Sequence, residues 1–246
     1  MFEAQTHKET SFITLTYAPE HLPHPPSLDY SHFQLFMKRL RKRMGPMRFF
    51  MCGEYGDQLS RPHFHAIIFG TRFPDRVLWS RSGSGNDLYR SATLEQLWPF
   101  GHSSVADVTF ESAAYVARYS LKKVTGDLAE QHYRFVDADT GEVTQRTPEF
   151  CHMSLKPGIG GRWFELYSSD VYNGHDYVVI NGHKCKPPRY FDRLLKRQDP
   201  MAFDDVKTAR EFKGYSRRDD STDSRLAARE TVQLAALNRL APRGDL

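Results

Sequence analysis

The chain has 246 residues and carries 34 Lys and Arg against 30 Asp and Glu, which gives a net charge of +4. It contains 17 Phe, 12 Tyr and 3 Trp, so a hydrophobic core is available and a wholly disordered chain is excluded. The length suits one large domain or two small ones. No run of about 20 apolar residues is present and the N-terminus resembles no targeting peptide, so we expect a soluble protein without a membrane segment.

The cysteines and the distribution of charge narrow the class of protein further. Cys52, Cys151 and Cys185 are odd in number and form no CxxC pair, which argues against a disulfide framework and a thiolate zinc site and favours a reducing cytoplasm. Residues 1–125 hold 15 basic and 11 acidic residues, whereas the remainder holds 19 of each. Such an excess is compatible with a nucleic-acid partner but is also found in other enzymes.

The N-terminal segment predicts a strand followed by a helix. Residues 11–17 alternate polar and apolar side chains, as a strand does, and a proline-rich loop follows. Apolar residues then recur every three or four positions over 31–45, which predicts an amphipathic helix with Ser31 as its N-cap and Gly45 as its stop. The other helix face is basic, so it either contacts phosphates or is simply solvated.

The next hundred residues predict a mixture of strands and helices. Residues 47–54 and 63–70 read as two strands of a hairpin with a long connection. We predict a polar excursion over 71–90, a short helix at 94–98 and a strand at 103–110. A helix over 111–124 follows.

Beyond Gly126, two hairpins are predicted, with turns at 139–141 and 181–182. A glycine-rich turn at 156–161 precedes a predicted helix at 162–167, and the region from Asp199 onward is charged and helix-prone. The glycine-rich turn does not match GxxxxGK[ST], so ATP binding and a helicase motor are not indicated.

His63 and His65 lie two residues apart on a predicted strand. Strand side chains alternate between faces, so both imidazoles leave one face and can bind one ion, although such histidines are also common as ordinary polar residues. Glu54 joins them if it pairs near His63 and faces away if the register slips by one residue. With Glu54, the mixed nitrogen and oxygen donors and the open positions suit Mg²⁺ or Mn²⁺ better than a closed zinc site.

Tyr115, Tyr119 and Lys122 share one face of the predicted helix 111–124, at positions i, i+4 and i+7. Tyrosines four residues apart often serve as packing residues, although a lysine in such a stripe is less typical of a core. An unperturbed phenol has a pKa of about 10, so a nearby ammonium and a metal-bound phosphate would help it to ionise and act as a nucleophile.

The ordered segments FITLTY (12–17), HFHAIIFG (63–70) and YVARYSLKK (115–123) resemble the three motifs of the HUH endonucleases that initiate rolling-circle replication. The longer strings CGEYGDQLSRPHFHAIIFG, ESAAYVARYSLKK and MSLKPGIGGRWFE are similar to the replication initiation proteins of microviruses, small phages with single-stranded DNA, and especially of their gokushovirus branch. The resemblance covers residues 10 to about 165. It implies an α+β fold of the ferredoxin and RRM-like kind, with an antiparallel central sheet of about five strands and helices packed on it.

The resemblance also implies roles for individual residues. His63 and His65 match the paired metal ligands of the HUH motif, and Lys122 matches the lysine of the YxxK form. Tyr115 and Tyr119 match the two nucleophiles. Glu54 as a third ligand is inferred from its place beside the hairpin. Cations on the predicted helices are candidate DNA contacts, namely Lys38, Arg39, Arg41, Lys42, Arg118 and Lys123.

The implied activity is metal-dependent, strand-specific DNA nicking and joining. The implied partners are single-stranded or origin DNA, a host helicase and a host DNA polymerase, in the cytoplasm of a host bacterium. We expect residues 1–170 to form the nuclease domain and residues 171–246 an accessory region. The alternatives are a non-catalytic module that binds single-stranded nucleic acid, and a transposase or relaxase of the same superfamily.

Overall fold

The computed structural model of the protein describes residues 1–56, 60–83, 85–118 and 123–238. This part of the chain divides into two compact units, Met1–Ile159 and the residues from Gly160 onward. The predicted domain boundary at residue 170 falls inside a helix of the second unit. The division of the chain into a nuclease domain and an accessory region stays a prediction.

The first unit contains a seven-stranded antiparallel sheet with the strand order β4-β5-β6-β1-β3-β2-β9, and a separate hairpin, β7–β8. The strands of this unit are β1 (Thr10–Tyr17), β2 (Arg48–Tyr55), β3 (Pro62–Phe69), β4 (Val77–Arg81), β5 (Asp87–Arg90), β6 (Gly101–Ala106), β7 (Arg134–Val136), β8 (Val143–Gln145) and β9 (Phe150–Met153). Its helices are α1 (Phe2–Gln5), α2 (Tyr30–Met44), α3 (Ala92–Leu97), α4 (Phe110–Arg118) and α5 (Leu128–Tyr133).

The second unit is mainly helical within its described residues. It contains the helices α6 (Gly161–Tyr172), α7 (Arg189–Gln198), α8 (Pro200–Ser216) and α9 (Asp223–Asn238), and a two-stranded hairpin of β10 (Val178–Ile180) and β11 (His183–Cys185). None of the described helices has both the length and the apolar composition needed to cross a membrane.

The two faces of the large sheet bury different sets of side chains. Alternation along β1 sends Ile13, Leu15 and Tyr17 into the main core, where they pack with Phe33 and Phe36 of α2. Burial of each such aromatic side chain contributes about 1.5–3 kcal/mol. The opposite face is covered in part by α4, which contacts β2 and β3. The two faces therefore separate the main core from the polar side chains described below.

The predicted α+β class with an antiparallel sheet is confirmed, and both predicted hairpins are present. The polar excursion predicted for 71–90 is wrong, because β4 and β5 lie there and extend the sheet beyond β6. Strand β9 pairs with the other edge at β2 and was also not predicted. These additions explain why the sheet has seven strands and not about five.

Two helix starts also differ from the predictions. Asp29 and not Ser31 caps α2, since the Asp29 carboxylate accepts a hydrogen bond from the Ser31 backbone N–H at 2.8 Å. Gly45 ends the helix as predicted, with a φ of 90°. The strand predicted for 103–110 ends at Ala106, because Thr109 hydrogen-bonds with Ser112 and starts α4.

Candidate metal centre and active site

The pairing of β2 with β3 decides whether Glu54 shares a face with the histidines. Glu54 lies directly opposite His63, and Cys52 lies opposite His65. Directly opposed residues of an antiparallel pair project from the same face. The register is therefore the one that places Glu54, His63 and His65 together.

These three residues, which we call the triad, converge closely. Glu54 Oε1 lies 2.6 Å from His63 Nε2 and 3.0 Å from His65 Nε2. One ligand atom from each residue can be chosen so that all three lie within 4.8 Å of one another. The side chain of His63 is 15% exposed, whereas Glu54 and His65 are buried. The triad is thus accessible from one side, through His63.

Contacts behind the histidines orient both rings. His63 Nδ1 lies 3.0 Å from the Arg61 carbonyl oxygen, which can only accept, so this nitrogen carries the proton. In the neutral ring, Nε2 then presents a lone pair to Glu54 Oε1, and a shared proton or a cation relieves the repulsion between them. His65 Nδ1 lies 3.0 Å from Thr14 Oγ1. Such outer contacts commonly fix the orientation of metal-binding imidazoles.

Glu54 is held as a carboxylate. Burial alone would raise its pKa, but the hydrogen bonds and charges of His63 and His65 outweigh this effect and lower the pKa of the carboxyl below its usual value. An ionised carboxylate and two imidazole nitrogens form a donor set with positions left open for a substrate oxygen. The residues present therefore fit a divalent cation such as Mg²⁺ or Mn²⁺.

Helix α4 carries Tyr115 to the triad. The centre of its ring lies 5.2 Å from that of His65, with the two planes nearly perpendicular. Val116 is buried in the cluster beneath the helix, which fixes α4 on this face of the sheet. Tyr119 and Lys122 lie outside the described residues. Their predicted roles stay predictions.

Two rows of directly paired residues cross the same face of the sheet. The first row is Glu54, His63, Thr16 and His102, and the second is Cys52, His65, Thr14 and Ser104. Each row runs from β2 through β3 and β1 to β6. The triad therefore continues into a polar surface toward the edge of the sheet.

This polar surface forms a groove of about 210 Å³ that reaches the β4–β5 hairpin. Its lining includes Thr14, Thr16, His102, Ser104, Trp79 and Arg90. Trp79 is 60% exposed, and its ring centre lies 5.6 Å from the guanidinium carbon of Arg90. Exposed aromatic faces, cations and hydroxyls are the groups that bind single-stranded nucleic acid.

Comparison with known proteins agrees with the ordered motifs. Residues 10–124 match the family model of the replication-associated protein ORF2. The chain belongs to this family through these residues. The matched segment includes the triad, Tyr115 and six of the seven strands of the large sheet.

Curated phage proteins extend the similarity beyond the matched segment. The replication-associated protein VP4 of Bdellovibrio phage phiMH2K is 32% identical over 207 residues, which cover 80% of this chain and 61% of that protein. The replication-associated protein ORF2 of Spiroplasma virus 4 is 32% identical over 83% of this chain and 64% of its own length. For the replication-associated protein ORF4 of Chlamydia phage 1, the values are 33%, 79% and 48%.

The resemblance to microvirus replication proteins is thereby confirmed. The chain spans less than two thirds of the length of each of these relatives. No solved structure matches it.

In this member of the replication-associated family, the basic face of α2 lies away from the triad. The helix packs on the main core, on the sheet face opposite to the histidines. Arg39 approaches the Leu97 carbonyl oxygen at 3.5 Å, and Arg41 approaches that of Met47 at 3.2 Å. Lys38 and Lys42 are exposed on the same helix. DNA contacts by these four cations stay a prediction for a surface remote from the triad.

The two remaining predicted DNA contacts lie on either side of undescribed residues. Arg118 is exposed at the end of α4. Lys123 is exposed and lines a cavity of about 630 Å³ with Tyr30 and Phe150, whose side chains belong to the α2 side of the sheet. Only Arg118 therefore follows the helix that carries Tyr115.

Sequence reasoning did not identify Thr14, Trp79, Arg90 or His102. The alternation of β1 gives a signal for Thr14, because it places this residue opposite to the buried Ile13 face. His102 was missed because the strand was predicted to begin one residue later. Trp79 and Arg90 come together through the pairing of β4 with β5, which no local pattern indicated.

Proposed function

We propose that the chain is a metal-dependent DNA nicking and joining enzyme that initiates rolling-circle replication. The observation that carries the proposal is the convergence of Glu54, His63 and His65 under the ring of Tyr115. Membership of a replication-associated family supports a role in replication initiation. Tyr119 and Lys122 enter the proposal from the sequence motif alone.

The triad residues would hold the cation, and a bound divalent cation supplies Lewis-acid stabilisation of the scissile phosphate. The phenol of Tyr115 gives its proton to solvent, and its oxygen forms a bond to the scissile phosphorus. The bond from phosphorus to the 3′ oxygen breaks, and that oxygen takes a proton from solvent. The products are a 5′-phosphotyrosyl link and a free 3′-OH.

A second tyrosine gives the enzyme a way to rejoin the strand. The phosphodiester energy is kept in the covalent link, so a released 3′-OH can attack the phosphotyrosine and close a circle. Tyr119 would cleave the regenerated origin while Tyr115 remains linked to DNA, or the reverse. A host polymerase would extend the first 3′-OH, and a host helicase would unwind the duplex.

The groove beside the triad provides a route for the DNA strand. We assign base stacking to Trp79 and phosphate contacts to Arg90 and His102. The hydroxyls of Thr14 and Thr16 line the part of the groove next to the histidines. A strand lying in this groove would bring its phosphate backbone to the triad.

Covalent capture of DNA tests the proposed activity. The protein is incubated with a labelled single-stranded origin oligonucleotide and Mn²⁺ and analysed on a denaturing gel. We expect protein-linked DNA, and we expect His63→Ala/His65→Ala to abolish it while DNA binding persists. A non-catalytic binding module would give no linked DNA. A relaxase would act on a transfer origin and a transposase on the ends of its element.

Calorimetric titration with Mn²⁺ tests the third ligand separately. Glu54→Gln removes the anionic donor and should lower the affinity for Mn²⁺ at least about tenfold, in the range found when metal sites lose a supporting group. Glu149→Gln is the matched control, because Glu149 is also buried but hydrogen-bonds to Tyr133 outside the triad. Equal affinities of the two variants would remove Glu54 from the metal site.

A further inference from the structure

Positive charge is concentrated in one short stretch of the second unit. Residues 184–197 contain six basic residues and one acidic residue, whereas the remainder of 160–238 contains eight basic and eleven acidic residues. We call the six cations of this stretch the basic strip: Lys184, Lys186, Arg189, Arg193, Lys196 and Arg197. The nearly balanced total for the C-terminal part of the chain conceals this separation.

Helix α7 displays four of these cations along one side. Phe191 and Leu195 are buried, and they point the opposite side of the helix to solvent. Arg189, Arg193 and Arg197 follow one another at intervals of four residues, and Lys196 lies beside them, all exposed. Residues four apart are separated by about 6 Å along a helix axis, so the guanidiniums form a regular row.

The nearby carboxylates do not neutralise this row. Arg210 donates to Asp192 at 2.9 Å and to Asp176 at 2.6 Å, so these acids already have a cation. Among the described residues, none of the four α7 cations has a carboxylate within ion-pair distance. On α8, by contrast, Lys207 pairs with Glu211 at 3.6 Å.

The hairpin that precedes α7 adds a cation and an aromatic ring. Lys184 on β11 lies over the ring of Tyr177, with its Nζ 4.3 Å from the ring centre. Lys184 and Lys186 are exposed, and Lys186 leads directly into Pro187 and Pro188 before α7 begins. The basic strip therefore extends from the hairpin onto the helix.

We propose that the basic strip is a second DNA-binding surface, which holds the phosphate backbone of single-stranded DNA without reading its base sequence. Arginine forks match phosphate geometry, and a regular row of them suits a polyanion with evenly spaced charges. The strip lies outside residues 10–124, which carry the family match, and it contains none of the residues assigned to cleavage. It would keep the protein attached to the template independently of nicking.

The salt dependence of DNA binding tests this proposal on the full-length chain. Binding of a labelled oligothymidine is followed by fluorescence anisotropy in EDTA over a series of salt concentrations. The strip variant is Arg189→Gln/Arg193→Gln/Lys196→Gln/Arg197→Gln. The loss of four phosphate contacts should lower the slope of log affinity against log salt by about 3, since each contact to a single strand contributes about 0.7.

A matched variant controls for net charge. Lys207→Gln/Arg217→Gln/Arg218→Gln/Arg225→Gln removes the same charge from exposed positions of the same unit outside the strip. We expect this variant to keep the wild-type slope. Equal slopes in the two variants, or an unchanged slope in the strip variant, would overturn the proposal. Polyglutamate is the competing anion, and displacement of DNA at equal anionic charge would point instead to an acidic protein partner.

Folding and cleavage are measured on the same proteins. Arg193→Gln/Arg197→Gln changes only exposed positions and should lower the slope by about 1.4, so it tests the strip even if the fourfold variant is unstable. Nicking of a short origin oligonucleotide with Mn²⁺ is the second readout. Loss of nicking with an intact strip effect would contradict the proposed function alone. An absent strip effect with intact nicking would contradict this inference alone.

Discussion

The imidazoles of His63 and His65 become a candidate metal centre because other residues constrain them. Glu54 bridges the two Nε2 atoms, the Arg61 carbonyl oxygen fixes the His63 tautomer, and the Thr14 hydroxyl contacts His65 Nδ1. The spacing of the two histidines predicts that they share a face, but it does not reveal these outer contacts. The behaviour of the site therefore depends on residues as ordinary as a strand threonine.

Thr14→Val tests the outer contact to His65. The substitution nearly conserves the shape of the side chain but removes the hydroxyl that orients the ring, so the affinity for Mn²⁺ should fall about tenfold. Calorimetric titration measures the change. Thr16→Val is the matched control, since Thr16 lies on the same face of the same strand, and the structure shows no hydrogen bond from its hydroxyl to the described histidines. A similar loss of affinity in both variants would show that the Thr14 hydroxyl has no special role.

Individual strands and helices differ in how far local pattern predicts them. The alternation of β1 and the periodicity of α2 are continuous over their lengths, so both elements were predicted close to their observed limits. Strands β4 and β5 are short, lie at an edge and flank a Ser- and Gly-rich turn, so their local sequence resembles a loop. Pairing with β6 stabilises them, and that pairing depends on residues distant in sequence.

The β4–β5 hairpin supplies the exposed aromatic residue of the groove. Trp79→Ala removes a stacking platform worth about 1–3 kcal/mol per base, so affinity for single-stranded DNA in EDTA should fall about tenfold. Leu78→Ala is the control, because Leu78 is 57% exposed on the same strand and does not line the groove. Fluorescence anisotropy with a labelled oligonucleotide measures both variants. Equal affinities of the two variants would exclude base stacking on Trp79.

Tyr133 joins three segments that follow α4. Its hydroxyl donates to Glu149 Oε2 at 2.5 Å and accepts from the Val124 N–H at 2.9 Å. Tyr133→Phe leaves a buried carboxylate without this donor and should lower the free energy of unfolding by about 1–3 kcal/mol. Urea unfolding at pH 8 measures the loss. Tyr167→Phe, on an exposed ring, should leave the free energy unchanged.

The same pair of variants predicts a dependence on pH. Burial and the hydrogen bond to Glu149 raise the pKa of Tyr133 to about 12. A folded pKa above the usual value of about 10 means that the phenol stabilises the fold fully below pH 10 and loses this contribution as the pH rises toward 12. The difference in unfolding free energy between wild type and Tyr133→Phe should therefore shrink over this range. A constant difference would contradict this contribution of the phenol.

At the scale of the whole molecule, the first unit contains all the described parts of the proposed cleavage site. The seven strands, the triad, Tyr115 and the groove lie within Met1–Ile159. We therefore predict that a fragment of residues 1–159 unfolds in one cooperative transition and binds Mn²⁺ with the affinity of the full chain. Calorimetry and thermal unfolding test both statements. A fragment that is unfolded would show that the first unit needs the remainder of the chain.

The charge of the whole molecule illustrates the difference between composition and placement. The net charge of +4 and the balanced C-terminal half suggested that the basic character belongs to the first 125 residues. In the structure, the exposed face of α7 carries four cations without ion-pair partners among the described residues. Charges that cancel in a count remain separate when they lie on different elements.

The sequence by itself determined the α+β class, the main strands and helix α2, the common face of His63 and His65, and the ordered motifs of a replication-associated family. These features follow from the twofold repeat of strands and the 3.6-residue repeat of helices, which are local properties of the backbone. Only the tertiary structure decided that Glu54 lies opposite His63, that Thr14 contacts His65 and that Trp79 meets Arg90. Each depends on the register between segments distant in sequence, and a slip of one residue would leave every local pattern intact while turning the side chains to the other face.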